Sequence, residues 1–202
     1  MPAVEIRGNT DLRKALKRFA PDLEKELRKE LTRALKPVVK QAQGFAPATG
    51  EVMRGWQPRS FSEARFPFYD ATTVQKGITF STGVSKPNKN GFTSNARIIN
   101  KSAAGAIYET AGRKSQSGQP WVGAKAGGSS HKVSRSTHRG AGAQFIDNLP
   151  PLTSSLAGTG RLIFRAWAAD KGRAMGIAMR AVDKAIEEFY NRSNSRTLDK
   201  AA

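Results

Sequence analysis

Apolar residues recur at helical spacing at both ends of the chain and alternate in its middle. From residue 9 to 43, Leu12, Leu16 and Phe19 mark one stripe. Leu23, Leu27, Leu31 and Leu35 then recur every four residues, and Val38, Val39 and Ala42 extend the line. One apolar face at that period predicts an amphipathic helix. Asn9 or Thr10 supplies a cap and Asp11 an acidic first turn. Pro21 suits the first turn of a second segment, and Pro37 is expected to kink the helix or restart it. The stretch GFAPATG, residues 44–50, ends it. The alternating signs of EKELRKELTR, residues 24–33, support pairs four residues apart on the exposed side. Strict four-residue spacing without a heptad favours packing on a sheet over a coiled-coil seam.

The middle reads differently. Residues 51–70 mix aromatics and prolines without a helical period, which predicts a short strand near 52–57. A loop then carries Phe61, Phe66, Phe68 and Tyr69, packed on a neighbouring subunit or on its own core. VQKGITFSTGV, residues 74–84, alternates and is β-branched, as a strand is. SKPNKNG, residues 85–91, is turn chemistry, and FTSNARIIN, residues 92–100, reads as the returning strand of a hairpin. A short helix is expected at 102–110. Residues 112–143 are rich in Gly, Ser, Lys and Arg with no period, and a loop of that length is usually functional. Trp121 and Val122 are its only large apolar residues and suit anchoring to a partner.

Pro150 and Pro151 mark a break, and from about Thr159 the pattern is helical again. Leu162, Ile163, Ala166 and Trp167 lead to Met175, Ala178, Val182, Ile186 and Phe189, with Gly172 and Gly176 as places for a bend or a close approach. Residues 193–202 read as a flexible, frayed tail. The order is helix, hairpin, loop, helix, with no internal repeat. It predicts one α+β domain over 1–192, with a long N-terminal helix and a C-terminal helix packed on a small antiparallel sheet and a long basic Gly/Ser-rich loop.

Length and composition narrow this further. The 202 residues suit a single domain with an extended arm. The absence of cysteine excludes disulfides, thiol chemistry and cysteine metal sites. No apolar run approaches a membrane span and the first residues carry no apolar core of signal length, so a soluble chain or part of a soluble assembly is expected, with no membrane partner. The net charge of +18 is unevenly placed: residues 71–146 hold 11 Lys+Arg against a single acid, Glu109. Such a one-sign region fits nucleic acid or an acidic neighbour. All its cations but Lys76, with one aromatic, are the candidate interface or DNA-facing residues: Lys86, Lys89, Arg97, Lys101, Arg113, Lys114, Trp121, Lys125, Lys132, Arg135 and Arg139.

Candidate chemistry is sparse. His131 and His138 stand in the glycine-serine loop without a nearby carboxylate, which is too few ligands for a metal site. The chain has no nucleophile elbow and no phosphate loop. Glu187 and Glu188 fit the solvated face of a helix. The expectation is a protein that is not an enzyme and has no cofactor.

Three stretches, taken in order, carry a resemblance. APATGEVMRGW, residues 46–56, ends the first helix with a Pro-x-Thr-Gly turn and enters a strand through an arginine. AAGAIYETAG, residues 103–112, carries tyrosine-glutamate before a glycine turn. GTGRLIFRAWAADKGRAMGIAMRAVDKAIEEF, residues 158–189, supplies a closing amphipathic helix. Together they resemble the neck and tail-completion proteins of long-tailed bacteriophages, the small head–tail joining family. Pro47, Thr49, Gly50 and Arg54 match its first segment, and Tyr108 and Glu109 its second. Val52-Met53 stands where the family prefers leucine, ETAG departs from Glu-x-Gly-Thr, and GTGRLIF replaces the usual Pro-Phe entry to the last helix.

The resemblance implies a structural virion protein of the neck, assembled in the bacterial host cytoplasm. It would act as head–tail connector, tail-completion protein or tail terminator, forming a closed homo-oligomeric ring of about six or twelve copies. Its partners would be itself, neighbouring neck and tail proteins, and DNA in the channel. Residues 85–101 and 113–139 would then face DNA or grip an acidic neighbouring ring. Glu109 would pair with an arginine or lysine of its own fold or of the adjacent subunit and fix the base of the basic arm. The alternative is a basic nucleic-acid-binding protein acting through phosphate-backbone contacts.

Overall fold

A strand opens the chain. In the computed structural model, which describes residues 3–7, 10–48, 67–87, 90–91, 93–113, 145–155 and 158–198, β1 (Ala3–Arg7) precedes the helices α1 (Thr10–Phe19) and α2 (Pro21–Gly44). Then come α3 (Ala71–Gly77), β2 (Ile78–Ser81), β3 (Ser94–Asn100) and α4 (Ala103–Thr110). A short hairpin, β4 (Thr153–Ser155) with β5 (Gly158–Gly160), leads into α5 (Ile163–Asp170) and α6 (Arg173–Leu198). The chain is α+β.

The main sheet is antiparallel in the order β1-β3-β2. β3 is central, with Ile98 opposite Phe80 on β2 and Val4 on β1. The expected hairpin of β2 and β3 is present, but β1 is an addition: AVEIR alternates as a strand does, yet is short enough to pass unnoticed before the long helix. Residues 74–77 are helical rather than extended. Asp70 explains the difference, because its carboxylate accepts the Thr73 N–H at 2.7 Å and caps α3. Val74 is buried by that helix, so local capping and burial override the β-branched preference.

α1 and α2 meet at Ala20, and Pro21 opens α2 as its composition predicts. α2 continues through Pro37 instead of restarting there. The neighbouring Ala34, Leu35, Val38 and Val39 are all buried and hold this turn on the core. The leucine stripe meets the sheet at β2, but its most extensive partner is α6, followed by α5. The helix–sheet contact expected from the spacing is thus secondary to helix–helix packing. The α6 side of that seam is small, with Ala174, Ala178 and Ala185 buried, which lets the two long helices approach.

The C-terminal region is more divided than its pattern predicts. Residues 158–160 are strand, and the helix begins at Ile163. Lys171 (φ 51°) and Gly172 (φ 81°) then turn left-handed and separate α5 from α6, so Gly172 breaks the helix while Gly176 lies within α6. The buried Asp170 carboxylate accepts the Ala174 N–H at 2.7 Å and starts the new helix. α6 runs to Leu198, so the first six residues of the expected tail are helical. The expected strand at 52–57, Phe61, Phe66 and the basic arm from 114 to 144 lie outside the described residues.

Candidate functional site

The lone acid of the basic region sits at the junction of α4, the β4–β5 hairpin and α5. Glu109 is on the last turn of α4 and is fully buried. Its Oε1 accepts the Phe164 N–H at 2.9 Å and its Oε2 accepts the Leu162 N–H. These are among the unpaired donors of the α5 N-terminus, where a negative group is favoured. Within its own fold the direct partners of the carboxylate are these N–H groups of a helix 53 residues away in sequence, and Arg113 acts on it through its charge. Gly160 makes the approach possible: a Cβ there would lie 2.3 Å from Glu109 Oε1.

Two arginines close the junction. Arg161 donates to the carbonyls of Tyr108 (2.9 Å), Ala111 (2.8 Å) and Pro150, and so satisfies the end of α4. Arg113 donates from Nε to the Thr159 carbonyl, and its guanidinium stacks 4.6 Å from the Phe164 ring centroid. The Tyr108 ring meets Tyr69 at 6.0 Å, and the Tyr69 hydroxyl donates to the Pro47 carbonyl at 3.0 Å. Pro47, Tyr69, Tyr108, Arg161 and Glu109 therefore form one connected cluster. Both described ends of the basic arm are tied to it: residues 112–113 leave from it, and a helical turn at 145–147 returns near it, with Ile146 within contact of Gly112.

Burial raises the Glu109 pKa above the ordinary carboxylate value, against the opposing pull of the Phe164, Leu162 and Ile163 N–H groups and of the Arg113 charge. Burial also raises the Tyr108 and Tyr69 hydroxyls. It pulls Arg161 down, while the Tyr108 and Glu109 charges push back. A cluster of this kind, with its polar atoms turned toward backbone groups, fixes chain geometry. It presents no nucleophile with a base beside it.

The other sequence-selected residues scatter. Lys86 and Lys101 are exposed, on the β2–β3 connection and just before α4. Arg97 is half-buried on the central strand β3, with Ser81 of β2 and Glu5 of β1 as register partners, and its buried Nε has no hydrogen-bond partner among the described residues. Arg113 is half-buried and engaged by the Thr159 carbonyl and the Phe164 ring of its own fold. Of the aromatic loop, Tyr69 covers the protein's own core while Phe68 is 55% exposed. Lys89, Lys114, Trp121, Lys125, Lys132, Arg135, Arg139, Thr49, Gly50 and Arg54 lie outside the described residues, as do both histidines.

Arg13 was not singled out by its sequence, yet it is 3% exposed and joins three elements. Its Nη1 donates to the carbonyls of Thr82 (2.6 Å) and Asn95 (3.0 Å), and its Nη2 meets Glu24 at 2.7 Å. Burial acts against the Glu24 carboxylate, but hydrogen bonds from Arg13 and Arg28 outweigh it and hold its pKa below the ordinary value. No sequence signal marks it: Arg13 lies about 100° round the helix from Leu12 and shares its side with Lys17. Among the described residues no helix is long and apolar enough to cross a membrane. Comparison with protein-family models, curated proteins and solved structures finds no match for this chain.

Proposed function

We infer that the protein is a structural component of a bacteriophage neck, a ring-forming connector, tail-completion protein or tail terminator between capsid and tail. The observation that carries this reading is the convergence of its three resembling segments. Pro47 from the first, Tyr108 and Glu109 from the second, and Leu162 and Phe164 from the third meet in one buried cluster. Residues far apart in sequence that share a single structural task suit a scaffold, where the product is shape. The order of long helix, strand pair, tyrosine-glutamate helix and closing helix is also the order the resemblance implies.

The strongly basic middle of the chain favours a second reading, a nucleic-acid-binding protein that acts through phosphate contacts. Light scattering after size exclusion of nuclease-treated protein separates the two. A connector elutes as a discrete closed multiple of 21.9 kDa. A species that stays monomeric at every salt and protein concentration and retards duplex DNA supports the second reading instead.

A further inference from the structure

Beyond its first two turns the outer face of α2 carries one sign of charge. Lys25, Lys29, Arg33, Lys36 and Lys40 follow one another at steps of four, four, three and four residues, and all are exposed. At about 100° per residue they fall within a sector of about 80°, and they span about 22 Å of helix axis. The buried line of Leu27, Leu31, Ala34 and Val38 lies on the opposite side.

Asp22 shares their sector and Glu26 borders it, both exposed, but each is paired with a cation of α6. Asp22 meets Arg192 of α6 at 2.6 Å, and Glu26 meets Lys184 of α6 at 2.8 Å. Glu24 holds Arg13 and Arg28. Glu30 is half-buried and lines the groove between α2 and α6 beside Leu27 and Ala181. Beyond Leu31 the helix has no acid at all. The pairs expected along the exposed face reduce to Glu24–Arg28, and among the described residues none of the five cations forms an ion pair.

We propose that this stripe is a contact surface for the phosphate backbone of double-stranded nucleic acid, independent of base sequence. A rigid helix presents five cations in line, complementary to a regularly charged polyanion. None of the exposed large hydrophobic side chains belongs to α2, so the stripe lacks the apolar centre of a protein interface. Four of the five cations are lysines, compact point charges that neutralise phosphates without the bidentate geometry used to read bases. The surface is separate from the Glu109 cluster and does not depend on the connector reading.

The test is the salt dependence of binding of the full, nuclease-treated chain to a short labelled duplex of mixed sequence. K29Q/R33Q/K36Q/K40Q should make the slope of log K against log salt shallower by about 3.6, at about 0.9 per contact. K36Q alone should remove about 0.9, and the charge-keeping K29R/K36R/K40R should match wild type. A charge-matched control at exposed positions elsewhere, K17Q/K76Q/K171Q/R180Q, should change the slope by less than about one. An unchanged slope in the stripe variant overturns the proposal, as does an equal loss in the control or no duplex binding by wild type at low salt. Loss of self-association in the stripe variant with the slope intact also overturns it, and marks the stripe as a contact between subunits.

Discussion

Glu109→Gln isolates what the buried carboxylate does. Glutamine keeps the size of the side chain and one acceptor oxygen, but its NH2 must face either the Leu162 or the Phe164 N–H, donor against donor. One buried backbone donor is then unmet, at a cost of about 1–3 kcal/mol. Taking about 2 kcal/mol, and about 2–4 °C per kcal/mol for a domain of this size, the melting temperature should fall by about 4–8 °C. The assay is thermal or urea unfolding at about pH 5 and again at about pH 8. Because burial raises the Glu109 pKa, the folded protein retains the proton where the unfolded chain has released it. The contribution of Glu109 is therefore complete below the ordinary value of 4.5 and is lost as pH rises through the raised value. Glutamine does not titrate, so the advantage of wild type over the variant should shrink as pH rises. A variant as stable as wild type at both pH values would refute the capping role. An advantage that grows with pH would show that the N–H donors outweigh burial.

Gly160→Ala should be at least as damaging, since the new Cβ would sit 2.3 Å from Glu109 Oε1 and 2.8 Å from the Phe164 ring. Combined with Glu109→Ala, the loss should be well below the sum of the single losses, and strict additivity in unfolding experiments would show that the two positions do not meet. Arg13→Ala should cost about 3 kcal/mol by stranding two carbonyls and leaving Glu24 with Arg28 alone, with little dependence on salt. Arg192→Ala, which breaks the exposed pair with Asp22, should leave the melting temperature unchanged, and comparable losses in the two arginine variants would contradict the burial argument.

Sequence reasoning recovered the features set by period and by turn chemistry. The leucine stripe located α2, Pro21 its start, and the segments around SKPNKNG the β2–β3 pair. It failed where side chains reach across the chain. Asp70 and Thr73 turned a β-branched segment into α3 through a local cap that the alternation concealed. Glu109 was noticed for its isolation in a basic region, but its partners are backbone N–H groups, which no residue type announces. The sign alternation of α2 promised exposed pairs. Only the placement of α6 and Arg13 shows that Asp22, Glu24 and Glu26 are paired with other elements and leave the five cations without ion pairs among the described residues.

The proposed function is a place in a phage particle, and immunogold labelling of virions purified from a lysate in which this chain is expressed tests it most directly. The account predicts gold at the joint between head and tail, on every particle that carries a tail. Protein abundant in the lysate but absent from purified virions, or label spread over the capsid, would contradict it.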